Sequence, residues 1–162
     1  LGPKLFGLVP PLIPVSWFTV SWASWVIARQ RTCGIRAILL GTALLIAWDL
    51  LLDPAMSKAN HYWFWREVGS YYGMPLLNLF GWGVTGLVLF LILSKISAEP
   101  KSTSSFAVWV YAINFALPLG FCILNQYWLA VFAGIGSVAI ALLIAHLELQ
   151  FSPRGFSVVF RR

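Results

Sequence analysis

The chain has 162 residues, is 60% hydrophobic and only 10% charged, and carries nine Trp and a formal net charge of +6. A soluble domain averages about 25% charged residues, so this composition excludes an ordinary soluble fold and indicates an integral membrane protein. The basic residues flank apolar segments and form no regular stripe, which excludes nucleic acid as a partner and leaves the lipid bilayer as the expected one.

Five apolar segments follow one another. Leu5 to Ala28 is the first, with Pro10, Pro11 and Pro14 near its start, where they predict a bent or late-starting helix. Ala37 to Leu52, Pro75 to Leu93, Phe106 to Leu124 (broken by Pro118) and Trp128 to Leu147 are the others. Their lengths lie within or just below the spanning range of about 17–25 residues. Strand-like alternation is absent, so a membrane barrel is not expected. The predicted fold is all-α: one polytopic transmembrane helix bundle over residues 1–162, with about five spans and an interfacial aromatic segment between the second and third. Gly81, Gly83, Gly86, Gly134 and Gly136 predict close helix approach. The chain begins at Leu1, not Met, and further N-terminal spans are expected to precede it.

Basic residues set an orientation. Arg29, Arg31, Arg36, Lys95, Lys101, Arg154, Arg161 and Arg162 fall on one side of a five-span arrangement, against Lys4, Lys58 and Arg66 on the other. The positive-inside bias places the loop after the second span outside the cytoplasm. Cys33 and Cys122 form no paired motif and read as ordinary small residues.

The scarce acids concentrate in "AWDLLLDPAMSKANHYWFWRE", Ala47 to Glu67. Asp49 and Asp53 are four residues apart, so on a helix they share one face, about 5–6 Å apart at Cβ. Two carboxylates that close do not both ionise readily, which predicts one carboxyl and one carboxylate side by side, the pair that acid–base catalysis requires. Asp53 has a simpler reading as a helix end before Pro54, or as a partner of Lys58 or Arg66. Asn78, one turn into the third span, requires a polar partner such as Asp49 or water. Trp48, Trp63, Trp65, Tyr71, Tyr72 and Trp82 suit an interfacial belt, and also the lining of a site for a cationic or polyene substrate, since aromatic faces stabilise positive charge. Glu67 beside Arg66 reads as a surface pair. His61 reads as an interfacial histidine, not a metal ligand.

The order Trp48-Asp49, Asp53-Pro54, an aromatic stretch, then "YYGMPLLNLFGW" (Tyr71 to Trp82) resembles the membrane carotenoid-biosynthesis family typified by the CruF-type carotenoid 1,2-hydratases. The "VPPLIPVSW" run (Val9 to Trp17) is similar to that family's proline-rich span, and the resemblance covers roughly Val9 to Phe90. It implies an enzyme of a prokaryotic plasma or thylakoid membrane. Such an enzyme adds water across the terminal isopropylidene C1–C2 double bond of a linear carotenoid such as lycopene, γ-carotene or a bacterioruberin precursor. It further implies Asp49 as the acid, Asp53 as the water-directing base and Asn78 as the group that orients one of them, with the two aspartate roles interchangeable. The hydration is redox-neutral, so no cofactor and no metal is expected.

Two other readings compete. The D-x-x-x-D spacing is similar to that of intramembrane prenyltransferases, whose paired aspartates hold magnesium and a diphosphate. Their first motif, however, carries Asn where this chain has Leu45, and no second D-x-x-x-D follows Asp53. The alternative outside catalysis is a carotenoid-binding or structural subunit associated with other membrane proteins.

Overall fold

The computed structural model describes residues 10–97 and 105–151, together with Lys4 and Gly7. Most of the early part of the first predicted span, the 98–104 loop with Lys101, the Glu148 side chain and the basic tail with Arg154, Arg161 and Arg162 lie outside the described residues.

Among the described residues five helices form the bundle: α1 (Leu12–Arg31), α2 (Gly34–Asp53), α3 (Leu76–Ile96), α4 (Ser105–Leu124) and α5 (Trp128–Phe151). A π-helical turn, Pro54–Ala59, continues α2 without a break. The second span therefore runs 26 residues, Gly34–Ala59, longer at both ends than the predicted Ala37 to Leu52. Among the described residues, four helices (α2 with its π turn, α3, α4 and α5) are long and apolar enough to cross a membrane. The fifth, α1, has span length at 20 residues but carries more Ser and Trp.

At the centre stands α2, with α1, α3, α4 and α5 all packed on it. Twelve of its residues are buried. The outer helices bury only stripes, as expected for helices with lipid on their far side. In α3 the stripe is Trp82, Gly86 and Phe90, one residue per turn. Leu77, Phe80, Leu91 and Ile92 point outward and are exposed. Apolar exposure on this scale marks a surface made for the bilayer.

Two glycines let α2 approach its neighbours. A Cβ at Gly134 would lie 2.6 Å from Leu51 Cγ, and one at Gly86 would lie 3.1 Å from Thr42 Cγ2. Gly81 and Gly136, also expected at close contacts, instead face open space. They lie on helix faces turned away from the neighbours.

Pro118 was expected to break the fourth span, yet α4 runs through it. Proline removes the hydrogen bond to the carbonyl four residues earlier, here Asn114. That carbonyl accepts from Trp48 Nε1–H at 2.9 Å. Pro54 likewise frees the Leu50 carbonyl, and the Tyr71 hydroxyl donates to it at 2.8 Å. In both places an aromatic donor from another element replaces the missing backbone donor, so both helices continue.

Between the π turn and α3 the chain is non-helical. The Met74 N–H donates to the Tyr71 carbonyl at 2.8 Å, and the Gly69 N–H to the Gly73 carbonyl at 2.9 Å. The two central turn residues, Tyr72 and Gly73, have φ of 50° and 92°, as a type I′ turn requires. At Gly69 any Cβ would run into the Met74 carbonyl oxygen. This knot fixes Pro75 and hence the start of α3, which carries Asn78.

Candidate functional site

A cavity of about 820 Å³ opens where the loop end of the bundle meets α1, α2, α3 and α4. Asp53 and Asn78 supply carboxyl and amide groups to its wall, and Trp48, Trp63, Trp65 and Trp82 supply aromatic rings. Asp53 is 3% exposed. Its Oδ2 accepts a 2.6 Å hydrogen bond from Asn78 Nδ2, and the Trp63 indole lies against the same carboxyl. The Nε1–H groups of Trp63 and Trp65 are buried and outside hydrogen-bonding geometry with any acceptor among the described residues.

Asp49 sits one turn earlier on α2, within electrostatic reach of Asp53. It is fully buried, does not line the cavity, and neither of its oxygens has a hydrogen-bond partner among the described residues. An unpartnered carboxyl in a packed interior is a costly arrangement, so this side chain calls for a chemical explanation.

The aromatic side chains divide into two groups. Trp82 stacks on Trp17 with ring centroids 3.9 Å apart and meets Trp48 edge-on at 5.8 Å. Together they build one side of the cavity. Tyr71 and Tyr72 stand outside it. The Tyr71 hydroxyl is engaged by Leu50, as above, and burial pushes it above its ordinary pKa. Tyr72 packs between Tyr71 and Tyr127.

Trp17, Tyr62, Phe64, Asn114 and Phe121 also line the cavity, and sequence reasoning did not single them out. Asn114 carried a signal, as a lone amide in the apolar run "YAINFALPLG". Trp17 carried one too, at the end of the proline-rich "VPPLIPVSW". Among the described residues, no three His, Cys, Asp or Glu side chains gather to hold a metal ion.

A family profile described as "Carotenoid biosynthesis protein" matches residues 1–141. The chain belongs to this family. The carotenoid biosynthesis match runs past Phe90, where the motif resemblance ends, and takes in α4 and most of α5. Among curated proteins, this carotenoid biosynthesis protein is similar to the bisanhydrobacterioruberin hydratase of Haloarcula japonica, 32% identical over 99 residues. That alignment takes in 57% of this chain and 32% of the relative, so the chain spans about a third of the relative's length. No solved structure matches it.

Proposed function

We propose that this chain forms the catalytic part of a carotenoid hydratase, which adds water across the terminal isopropylidene C1–C2 double bond of a linear carotenoid. The observation that carries the reading is the carboxyl pair on α2, one member facing an aromatic cavity and the other buried behind it. The name of the Haloarcula relative supports the reaction class.

The geometry favours a division of labour. Asp53 is the carboxyl on the cavity wall, so it is the one that touches the reacting end. Asn78 occupies its Oδ2, and proton transfer falls to Oδ1. The Asp53 proton goes to C2 of the alkene, and a tertiary cation forms at C1. The faces of Trp48, Trp63 and Trp82 stabilise that cation. Water then forms the C1–O bond, and its surplus proton returns to the Asp53 carboxylate, which restores the starting state. Asp49 is the second member of the pair, and its burial one turn away keeps proton exchange inside the protein. This arrangement gives Asp53 both roles, where the sequence reading made Asp49 the acid and Asp53 the water-directing base.

The test is to express the full-length protein in cells that make lycopene or γ-carotene and to analyse the pigments. Wild type is expected to give the hydroxylated product. Asp53→Asn is expected to lower turnover by about 10²–10⁴-fold, the range for loss of a general acid–base group, and Asp49→Asn by a smaller factor. Full product from Asp53→Asn refutes the assignment. Bound pigment without any product from wild type supports a carotenoid-binding subunit instead. Magnesium-dependent turnover of a prenyl diphosphate supports the prenyltransferase reading.

A further inference from the structure

A second cavity, of about 430 Å³, lies between α1 and α3. Nothing in the proposed chemistry uses it. Trp17 lines both cavities, so they adjoin end to end along α1. The second continues past Ser21, Trp22 and Trp25 toward Arg29. Its walls are apolar and its far end is polar: Trp25 Nε1–H donates to Ser97 Oγ at 3.1 Å, and Arg29 Nη1–H donates to the same oxygen at 3.2 Å. One wall residue is out of character. Ser21 is 5% exposed, and its Oγ is buried without a partner among the described residues. A helical serine ordinarily bonds its hydroxyl back to the preceding turn.

We propose that this groove holds the polyene body of the linear carotenoid whose reacting end occupies the larger cavity. The inference rests on the hydratase reading for what sits at Asp53. Dimensions support it. From Ile13, in the larger cavity, to Arg29 is 16 residues of helix, about 24 Å at 1.5 Å per residue. With the cavity beyond Ile13, this approaches the ~30 Å of the hydrocarbon core, so the two compartments together accept a rod that spans the bilayer. Trp17 is stacked on Trp82 and Trp25 on Phe90, so with Trp22 they form a stiff aromatic wall, which suits a straight conjugated chain better than a flexible acyl chain. Ser21 is small enough to leave the groove open. Phe18, 71% exposed on the lipid side of the groove, marks where a membrane-dissolved substrate enters sideways. Arg29 and Ser97 close the end on the side the basic residues assign to the cytoplasm.

The test compares two substrates on the full-length protein in membranes: a linear carotenoid, and a short acyclic isoprenoid with the same isopropylidene end that fits within the larger cavity. Ser21→Phe fills the groove. The expected result is a KM for the carotenoid raised about tenfold or more with kcat little changed, the pattern of lost uniform binding, and an unchanged KM for the short substrate. Val26→Phe, from a second groove position, repeats the test and decides the matter if Ser21→Phe loses both substrates alike through misfolding. Equal KM for the carotenoid in wild type and both variants overturns the proposal and leaves the groove to membrane lipid. Binding is read separately, from the shift of the carotenoid's absorption on addition of protein. If wild type binds carotenoid but hydrates neither substrate, the hydratase reading fails. The groove assignment then stands if the variants weaken that binding and falls if they do not.

Discussion

The hydrogen bond from Tyr71 to Leu50 exists because Pro54 has no N–H, and this can be tested as a coupling. Tyr71→Phe removes only the hydroxyl oxygen and leaves the ring contact with Tyr72 in place. The Leu50 carbonyl then has neither its helical donor nor the phenol. Leaving such an acceptor unsatisfied costs about 1–3 kcal/mol. Leu50 is half-buried, which places the expected cost at the lower end, about 1–2 kcal/mol. Pro54→Ala supplies a backbone N–H at position 54, which reaches the same carbonyl. In that background Tyr71→Phe is expected to cost less than about 0.5 kcal/mol, giving a coupling near 1 kcal/mol between the two positions. Equilibrium unfolding of the four proteins in detergent micelles measures all corners of the cycle. An identical cost for Tyr71→Phe in the two backgrounds would falsify the capping argument and reduce Tyr71 to a packing residue.

Burial raises the Tyr71 hydroxyl above its ordinary value, so the folded state holds it neutral where the unfolded chain ionises. Its contribution to stability is complete below about pH 10, the unperturbed tyrosine value, and declines as pH rises beyond it. Unfolding at increasing pH should show that decline in wild type and a shallower one in Tyr71→Phe. Gly134→Ala places a methyl 2.6 Å from Leu51 Cγ and is expected to destabilise by about 1–3 kcal/mol. Adding Leu51→Ala should return part of that, read from the same unfolding curves. Asn78→Leu removes the donor to Asp53 Oδ2; a hydrogen bond to the carboxylate that forms as Asp53 gives up its proton contributes about 1.5–3 kcal/mol. Hydration is expected to slow by about 10- to 100-fold, while carotenoid binding, followed by absorption, changes little.

Much of this architecture was legible in the residues. Hydropathy alone located five helices to within a few residues at most ends, because a bilayer permits few alternatives. The spacing of Asp49 and Asp53 placed them on one face of α2, and Asn78 was recognised as an amide in need of a partner. Other features depend on neighbours that no local pattern reveals. Pro118 reads as a helix breaker until Trp48, 70 positions earlier in the sequence, is found on the carbonyl it frees. Tyr71 and Tyr72 share the composition of the cavity's aromatics, yet the turn at Gly73 sets them outside it, on the Leu50 carbonyl and the Tyr127 ring. The difference in exposure between Asp49 and Asp53 is also tertiary, since it follows from which helices close over each turn.

The central helix depends on donors made after it. Tyr111 donates to the Leu44 carbonyl from 67 residues downstream, and the Cys122 thiol approaches the Leu51 carbonyl from 71 residues downstream. At a synthesis rate of about 5–20 residues per second, α2 precedes these partners by about 3 to 14 seconds. Throughout that interval the helix bearing both carboxyls is in the membrane without α4. The proposed site is thus completed only late in biogenesis, and a defect in α4 would strand α2 as an orphaned acidic span, a target for membrane quality control.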